Sequence, residues 1–329
     1  MTTIRDVAKY ANVSVATVSR VLNNKGYVSK VAEEAVQQAI SALNYKPNAV
    51  ARSLYNKKSR MIGLLIPDIA NPFFPEVARA IEDVALKAGY TVVLCNTDSK
   101  LEKERHYLNT LEQKYVDGII AATGVGSYDH YKDLNVPIVA LDRYISEDVP
   151  TVMVENKQGA RIATEHLVEQ GCTYLAHLRG RRGLGTADDR YEGFKETVER
   201  YNIKHIIVET GFNIHTAEAK MRNLLSHQPE IDGIFAGSDV TAAGAMKAAH
   251  TLKRAIPDDL QIIGFDGIAY GEMLSPSLST MKQPIYRIGE KAITLLIEQI
   301  EKKKVETNHY VFPPVLQLRG TTKRGKAYE

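Results

Sequence analysis

The 329 residues are too many for one small domain and predict two or three. With 44% apolar and 25% charged residues, the composition is that of a soluble globular chain, and no run nears the roughly eighteen apolar residues of a membrane span. The start, MTTIRDVAKY, holds no apolar signal core, so a cytoplasmic protein whose two cysteines, Cys95 and Cys172, stay reduced is expected.

Charge is unevenly placed. Residues 1–60 hold ten Lys and Arg against Asp6, Glu33 and Glu34, a net of +7, and the remaining 32 basic and 36 acidic residues leave −4. A basic head on a mildly acidic body suits a module that meets phosphate, although a basic terminus can equally be a solvated one.

In chain order, residues 6–10 open a short helix with Val7, Ala8 and Ala11 facing inward. Asn12-Val13-Ser14 breaks it, and Ser14 is placed to cap a second helix over 15–22. There Val18, Val21 and Leu22 share one face, leaving Val15, Ala16, Thr17, Ser19 and Arg20 free. A third helix, 30–43, is expected to bury Val31, Ala35, Ala39 and Leu43. Two short helices joined by a tight turn and braced by a third make a helix-turn-helix. In a major groove, Val15 and Ala16 can approach a thymine methyl and Arg20 has the fork that reads guanine. Thr3, Ser14, Thr17, Ser19 and Asn23 are expected on phosphates. The same pattern also fits a three-helix domain whose polar residues merely face water.

Tyr45-Lys46-Pro47-Asn48 is a turn in which Asn48 can cap a short helix over 49–55. So short a helix does not hold itself together in water, which suggests ordering against a partner copy and DNA. Small alanines such as Ala51 allow close approach to a minor groove, and Leu54 could wedge between base pairs. A linker helix packed on the body is the alternative.

From residue 61 the chain alternates. Strands are predicted at 61–67, 91–95, 118–122 and 138–141, with helices at 74–89, 102–114 and 128–134. The pattern restarts with helices at 156–170, 190–201, 215–226 and 240–252 and strands at 174–179, 205–210, 233–236 and 261–265. Residues 275–284 read as a crossover back to the first half-body, followed by a helix over 285–300 and a closing strand over 311–318. Two open α/β half-bodies imply a cleft, and such sheets take ligands beyond the carboxyl ends of their strands. The residues there are Asp68, Asn71, Phe73, Phe74, Asp142, Arg143, Asp239 and Asp266: aromatic faces among carboxylates, amides and guanidinium, as a sugar requires. Individually, each also fits a helix cap or core residue.

Enzyme chemistry finds little support. Gly180-Arg181-Arg182-Gly183-Leu184-Gly185 lacks a dinucleotide fingerprint, and neither GxxxxGK[ST] nor HExxH occurs. Arg181 and Arg182 could meet phosphate but are expected to face solvent, and Asp188 and Asp189 to pair with Arg190 from a loop.

IRDVAKYANVSVATVSRVLN, then YKPNAVARSL, then MIGLLIPDIANPFF resemble the lactose-repressor (LacI/GalR) family, and the likeness runs through essentially the whole chain. Within it, YNKKSRMIGLLIPDIANPFFPEVAR and the LDR near residue 142 are most similar to regulators of ribose operons. The resemblance implies a fold of α plus α/β: a three-helix head over 1–47, a hinge helix and linker over 48–58, and an effector-binding and dimerisation domain over 59–329. The last comprises two Rossmann-like subdomains of the periplasmic-binding type, about 60–158 with 285–320 and about 159–284, with a ligand cleft between them. It implies a cytoplasmic, nucleoid-associated homodimer that binds double-stranded palindromic operator DNA, has no cofactor or metal, and does not bind membranes. Val15, Ala16 and Arg20 would enter the major groove, and Ala51 and Leu54 of paired hinges the minor groove. The implied effector is ribose or a related pentose, held by Asn71, Phe73, Phe74, Asp142, Arg143, Arg190, Asp266 and Gln283. Ser238 stands where ribose binders tend to have Asn, so a different or phosphorylated pentose stays open. Release by the sugar is the expected response; a corepressor, a phosphorylated carrier protein as effector, or a sugar transport or sensory protein are the alternatives.

Overall fold

The computed structural model describes residues 2–23, 26–46, 59–122, 129–132, 134–303 and 309–323. The chain divides into two compact units, residues 1–60 and 61–329. The expected hinge helix, with Asn48, Ala51 and Leu54, lies outside the described residues, as do Lys57 and Lys58.

In the head, α1 (Ile4–Tyr10), α2 (Val15–Asn23) and α3 (Lys30–Ala42) close around Val7, Val18, Val36, Ala39 and Tyr45. Helix α1 begins two residues before its predicted start because Thr3 and Asp6 form a capping box. Thr3 Oγ1 accepts from the Asp6 amide, and Asp6 Oδ2 accepts from the Thr3 amide at 2.8 Å. The expected α3 face needs correction: Val31 is 78% exposed and Val36 is fully buried. A strict four-residue spacing drifts about 40° per step around a helix of 3.6 residues per turn, so 31, 35, 39 and 43 do not share one face.

The body holds two six-stranded sheets. In the first, β1 (Met61–Ile66), β2 (Thr91–Asn96), β3 (Gly118–Ala121), β4 (Ile138–Leu141) and β5 (Thr151–Val154) stand in the order β5-β4-β3-β1-β2, all parallel. In the second, β6 (Tyr174–Arg179), β7 (Lys204–Glu209), β8 (Gly233–Ala236), β9 (Gln261–Asp266) and β10 (Ser279–Lys282) repeat that order as β10-β9-β8-β6-β7. Central strands such as β1 and β8 are buried almost throughout, which is why they read as unbroken apolar runs.

Helices α4 (Phe73–Lys87), α5 (Leu101–Gln113) and α6 (Asp129–Lys132) follow β1, β2 and β3. Helices α7 (Asn156–Glu169), α8 (Gly185–Arg200), α9 (Ile214–His227), α10 (Asp239–Thr251) and α11 (Tyr270–Met273) belong to the second half-body. Helix α12 (Ile285–Ile300) returns to the first, its Ile288, Ala292, Leu295 and Leu296 joining the core of β1, β3, β4 and α4.

The predicted strand over 311–318 is two strands. β11 (His309–Phe312) pairs parallel with β5, and β12 (Val315–Gln317) pairs antiparallel with β10 in the other sheet. Pro313 and Pro314, which have no amide to donate, mark the passage between them. The chain thus crosses between half-bodies three times: after Val154, after Lys282 and after Phe312.

Candidate functional site

One cavity of about 500 Å³ opens where strands of both sheets end. Pro67 to Phe74 follow β1, Ser99 follows β2, Ala122 follows β3, and Asp142 and Arg143 follow β4. Arg181 to Thr186 follow β6, Gly211 and Phe212 follow β7, Ser238 follows β8, and Asp266 ends β9. In each sheet the strand order reverses beside the strand that comes first in the chain, β1 or β6, which leaves such a crevice at the carboxyl ends.

Phe73 and Phe74 meet edge to face, with centroids 5.2 Å apart. On the other half-body Phe212 lies flat against backbone: a Cβ on Gly180 would sit 2.5 Å from its ring. Three wall residues, Asp142 (φ 54), Phe212 (φ 56) and Asp266 (φ 123), hold left-handed backbone angles that side-chain-bearing residues avoid. Such strain, of order 1–3 kcal/mol per residue, persists only where surrounding structure imposes it and gathers at functional sites.

The polar floor is an ion pair. Arg190, 3% exposed, donates from Nε to Asn156 Oδ1 at 2.8 Å and from Nη1 to the Gly237 carbonyl at 2.6 Å and Asp266 Oδ1 at 3.3 Å. Its guanidinium also stacks 3.8 Å from the Phe265 ring centroid. Gln283 Nε2 donates to Asp266 Oδ1 at 2.7 Å. Against this satisfied pair stand groups with no hydrogen-bond partner: Asp142 Oδ1, Arg143 Nε and Nη1, and Gln283 Oε1 are enclosed and unpaired. An unmet buried polar group costs about 1–3 kcal/mol, and of these groups the ones on Asp142 and Arg143 belong to residues that line the cavity.

Burial pushes the Asp142 carboxyl up to about 7; Arg190 opposes the rise and Asp266 adds to it. Burial also raises Asp266, again against the pull of Arg190. Arg143 is lowered by burial and held up by Tyr131 and Glu104, a buried pair in which the tyrosine hydroxyl donates to the carboxylate.

Not every expected residue faces the cavity. Asp239 does not line it. Its carboxylate accepts from the amides of Gly267 and Ile268 at 2.8 and 2.9 Å and from Thr280 Oγ1 at 2.6 Å, fixing the turn after β9. Ser238 lines the wall, but its hydroxyl caps α10 by accepting from the Thr241 amide. Gln283 stands behind Asp266 rather than in the wall. Asp188 and Asp189 lie inside α8, which begins five residues before its predicted start, and Asp188 pairs with Arg179 at 2.5 Å instead of Arg190. Arg181 and Arg182, expected to face solvent, line the cavity, Arg182 paired with Glu209 at 3.1 Å. Phe212, absent from the expected set, follows the end of a strand like the others.

In the head, Val15, Ala16 and Arg20 are exposed on α2. The hydroxyls nearby are already partly engaged. Ser14 Oγ caps α2 on the Thr17 amide at 3.1 Å and meets Thr17 Oγ1 at 2.9 Å, and Asn23 Nδ2 donates to the Ser19 carbonyl at 2.8 Å. These bonds build the helix ends whether or not the same groups also meet phosphate.

Residues 3–48 match the model of bacterial regulatory proteins of the lacI family, and residues 164–322 that of a periplasmic binding protein-like domain. The ribose operon repressor of Halalkalibacterium halodurans is 63% identical over 329 residues, covering 100% of this chain and 99% of that protein. The chain belongs to the lacI family. As a member of that family it is a DNA-binding transcriptional repressor rather than an enzyme. A lac repressor dimer solved with operator and an anti-inducer aligns at TM-score 0.87 and 28% identity over 98% of this chain and 99% of that one. A LacI family regulator from Enterococcus faecium with bound ribose aligns at TM-score 0.74 and 32% identity over 80% of this chain and 98% of that one.

Proposed function

We propose that this repressor controls a sugar-utilisation operon, that its effector is ribose or a closely related pentose, and that the sugar releases it from operator. The observation that carries the sugar is the cavity: two aromatic walls, a buried Arg190–Asp266 pair, and the unpaired atoms of Asp142 and Arg143 waiting for hydroxyls. Asn71, Phe73, Phe74, Asp142, Arg143, Arg190 and Asp266 hold the sugar, with Phe212 closing the opposite face; Gln283 supports Asp266. The names of the relatives, one a ribose operon repressor and one solved with ribose, favour the same pentose.

On DNA, Val15, Ala16 and Arg20 read base edges, while Thr3, Ser14, Thr17, Ser19 and Asn23 set register on phosphates. Two copies read a palindromic operator, with Asn48, Ala51 and Leu54 of each hinge at its centre. The work is done in the cytoplasm, at the nucleoid. Sugar binding favours one arrangement of the half-bodies that is incompatible with operator, so operator must weaken sugar binding by the same factor.

The test is a titration of the purified protein on the promoter of its own operon, with D-ribose and other pentoses. Operator affinity should fall as D-ribose rises, and D-ribose affinity should fall equally when operator is present. Tighter DNA binding with sugar would reverse the sign of the switch; indifference to every pentose would remove the sugar.

A further inference from the structure

Two buried groups on the cavity floor are bonded to places where the chain passes between half-bodies. Asn156 is the first residue of α7, two residues beyond the end of β5, and is 1% exposed. Its carboxamide is used at both ends: Oδ1 accepts from Arg190 Nε at 2.8 Å, and Nδ2 donates to the Val154 carbonyl at 3.1 Å. Strand β5 of the first sheet is therefore linked through one amide to the guanidinium of the cavity. At the second crossover Gln283 mirrors this, its backbone amide donating to the Asp266 carbonyl at 2.9 Å and its side chain to Asp266 Oδ1. Because Arg190 and Asp266 are themselves paired, one ionic unit touches two of the three passages.

The geometry of Arg190 gives this unit a direction. Its guanidinium is a rigid planar fork, so turning Nη1 toward a new acceptor also turns Nε. A ligand oxygen that competes for the fork would shift the Nε–Asn156 bond, and with it the peptide that leaves β5. Buried polar networks of this kind have few alternative arrangements, which makes them suited to two-state behaviour.

We propose that Asn156, which does not line the cavity, is a positioning residue that ties the Val154–Asn156 crossover to Arg190 and so couples cavity occupancy to the arrangement of the half-bodies. The inference rests on the reading that a polyol occupies the cavity. Alanine at 156 would sever both links of the amide. Aspartate would keep an acceptor for Arg190 Nε while losing the donation to Val154, as alanine does, so the difference between the two variants isolates the bond from residue 156 to Arg190.

The experiment is hydrogen exchange of the full-length protein, read in peptides covering residues 152–160, with and without saturating D-ribose, beside calorimetric affinity. In wild type, D-ribose should slow exchange there by about tenfold or more. Asn156→Ala should bind D-ribose within about tenfold of wild type yet lose the slowing. Asn156→Asp should recover it. Retained slowing in the alanine variant, or an aspartate variant that behaves like alanine, overturns the proposal. If wild type binds no D-ribose, the sugar reading fails, and the ligand-free proteins decide the tether. Faster exchange at 152–160 in Asn156→Ala, restored in Asn156→Asp, supports it; equal rates in all three overturn it.

Discussion

Lowering the pH from 8 to 6 is expected to weaken D-ribose binding about tenfold, through one carboxyl. Asp142 Oδ1 is enclosed without a partner, and burial lifts this carboxyl from 3.8 to about 7. A sugar hydroxyl that donates to Oδ1 favours the ionised form, so the carboxyl is a stronger acid in the complex than in the free protein. Below pH 7, then, binding must expel a proton. Each pH unit costs about 1.4 kcal/mol, or tenfold in affinity, until the pH reaches the value in the complex. The sign for stability runs the other way. Between 3.8 and about 7 the folded chain holds a proton that the unfolded chain has lost, so the ligand-free body loses stability as pH rises through that window. Calorimetry from pH 5.5 to 8.5, in two buffers of different ionisation enthalpy, reads both affinity and proton release. Asp142→Asn should bind more weakly at pH 8, with a much shallower pH dependence. A wild-type affinity constant across that range, with the same heat in both buffers, would refute a role for Asp142 as hydroxyl acceptor.

Arg20→Ala should cost roughly 1–3 kcal/mol on operator and relax preference at one base position, as measured by binding to a panel of single-base operator variants. Equal loss on every sequence would move Arg20 to the phosphates. Phe212→Ala removes one face of the cavity and should weaken D-ribose by about 1–3 kcal/mol in calorimetry while leaving ligand-free operator affinity intact. Asp239→Ala leaves the buried Ile268 amide, the part-buried Gly267 amide and the Thr280 hydroxyl without their acceptor, and should lower body stability by about 2–4 kcal/mol in denaturant unfolding. Unchanged stability in that variant would mean that other contacts hold the turn after β9.

What the sequence revealed and what it hid follow from how each element is stabilised. β1 and β8 are buried on both faces, so their apolar runs announce them, and the residues just past strand ends include most of the cavity wall. β10 escaped because Ser-Thr-Met-Lys reads as loop. Its hydroxyls are buried all the same, Thr280 on Asp239 and Ser279 on Thr322, and no local pattern reports a partner some forty residues away. β5 escaped because only nine residues separate it from β4, with no helix between them to mark a strand-helix-strand unit. The start of α8 carries Gly185, Asp188 and Asp189, which read as loop, and it becomes helical where Thr186 and Ala187 are buried and Asp188 finds Arg179.

The same reasoning separates Asp266 from Asp239, which the sequence presents alike as aspartates at or just past strand ends. Asp239 begins a helix and turns its buried carboxylate onto two amides and a hydroxyl of its own half-body, away from the cavity. Asp266 ends its strand at φ 123, a conformation that costs energy, and shares its carboxylate between Arg190 and Gln283 at the cavity. Composition cannot distinguish the two, because the difference lies in backbone angle and partners. On the function proposed above, the groups that meet a polyol are those whose folded geometry is least favourable without one: the strained Asp266, and the partnerless Asp142 Oδ1 and Arg143 Nε and Nη1. On that proposal, a ligand that offers hydroxyls in the right places would remove part of the polar cost, and that gain would favour the sugar-bound arrangement over the operator-bound one.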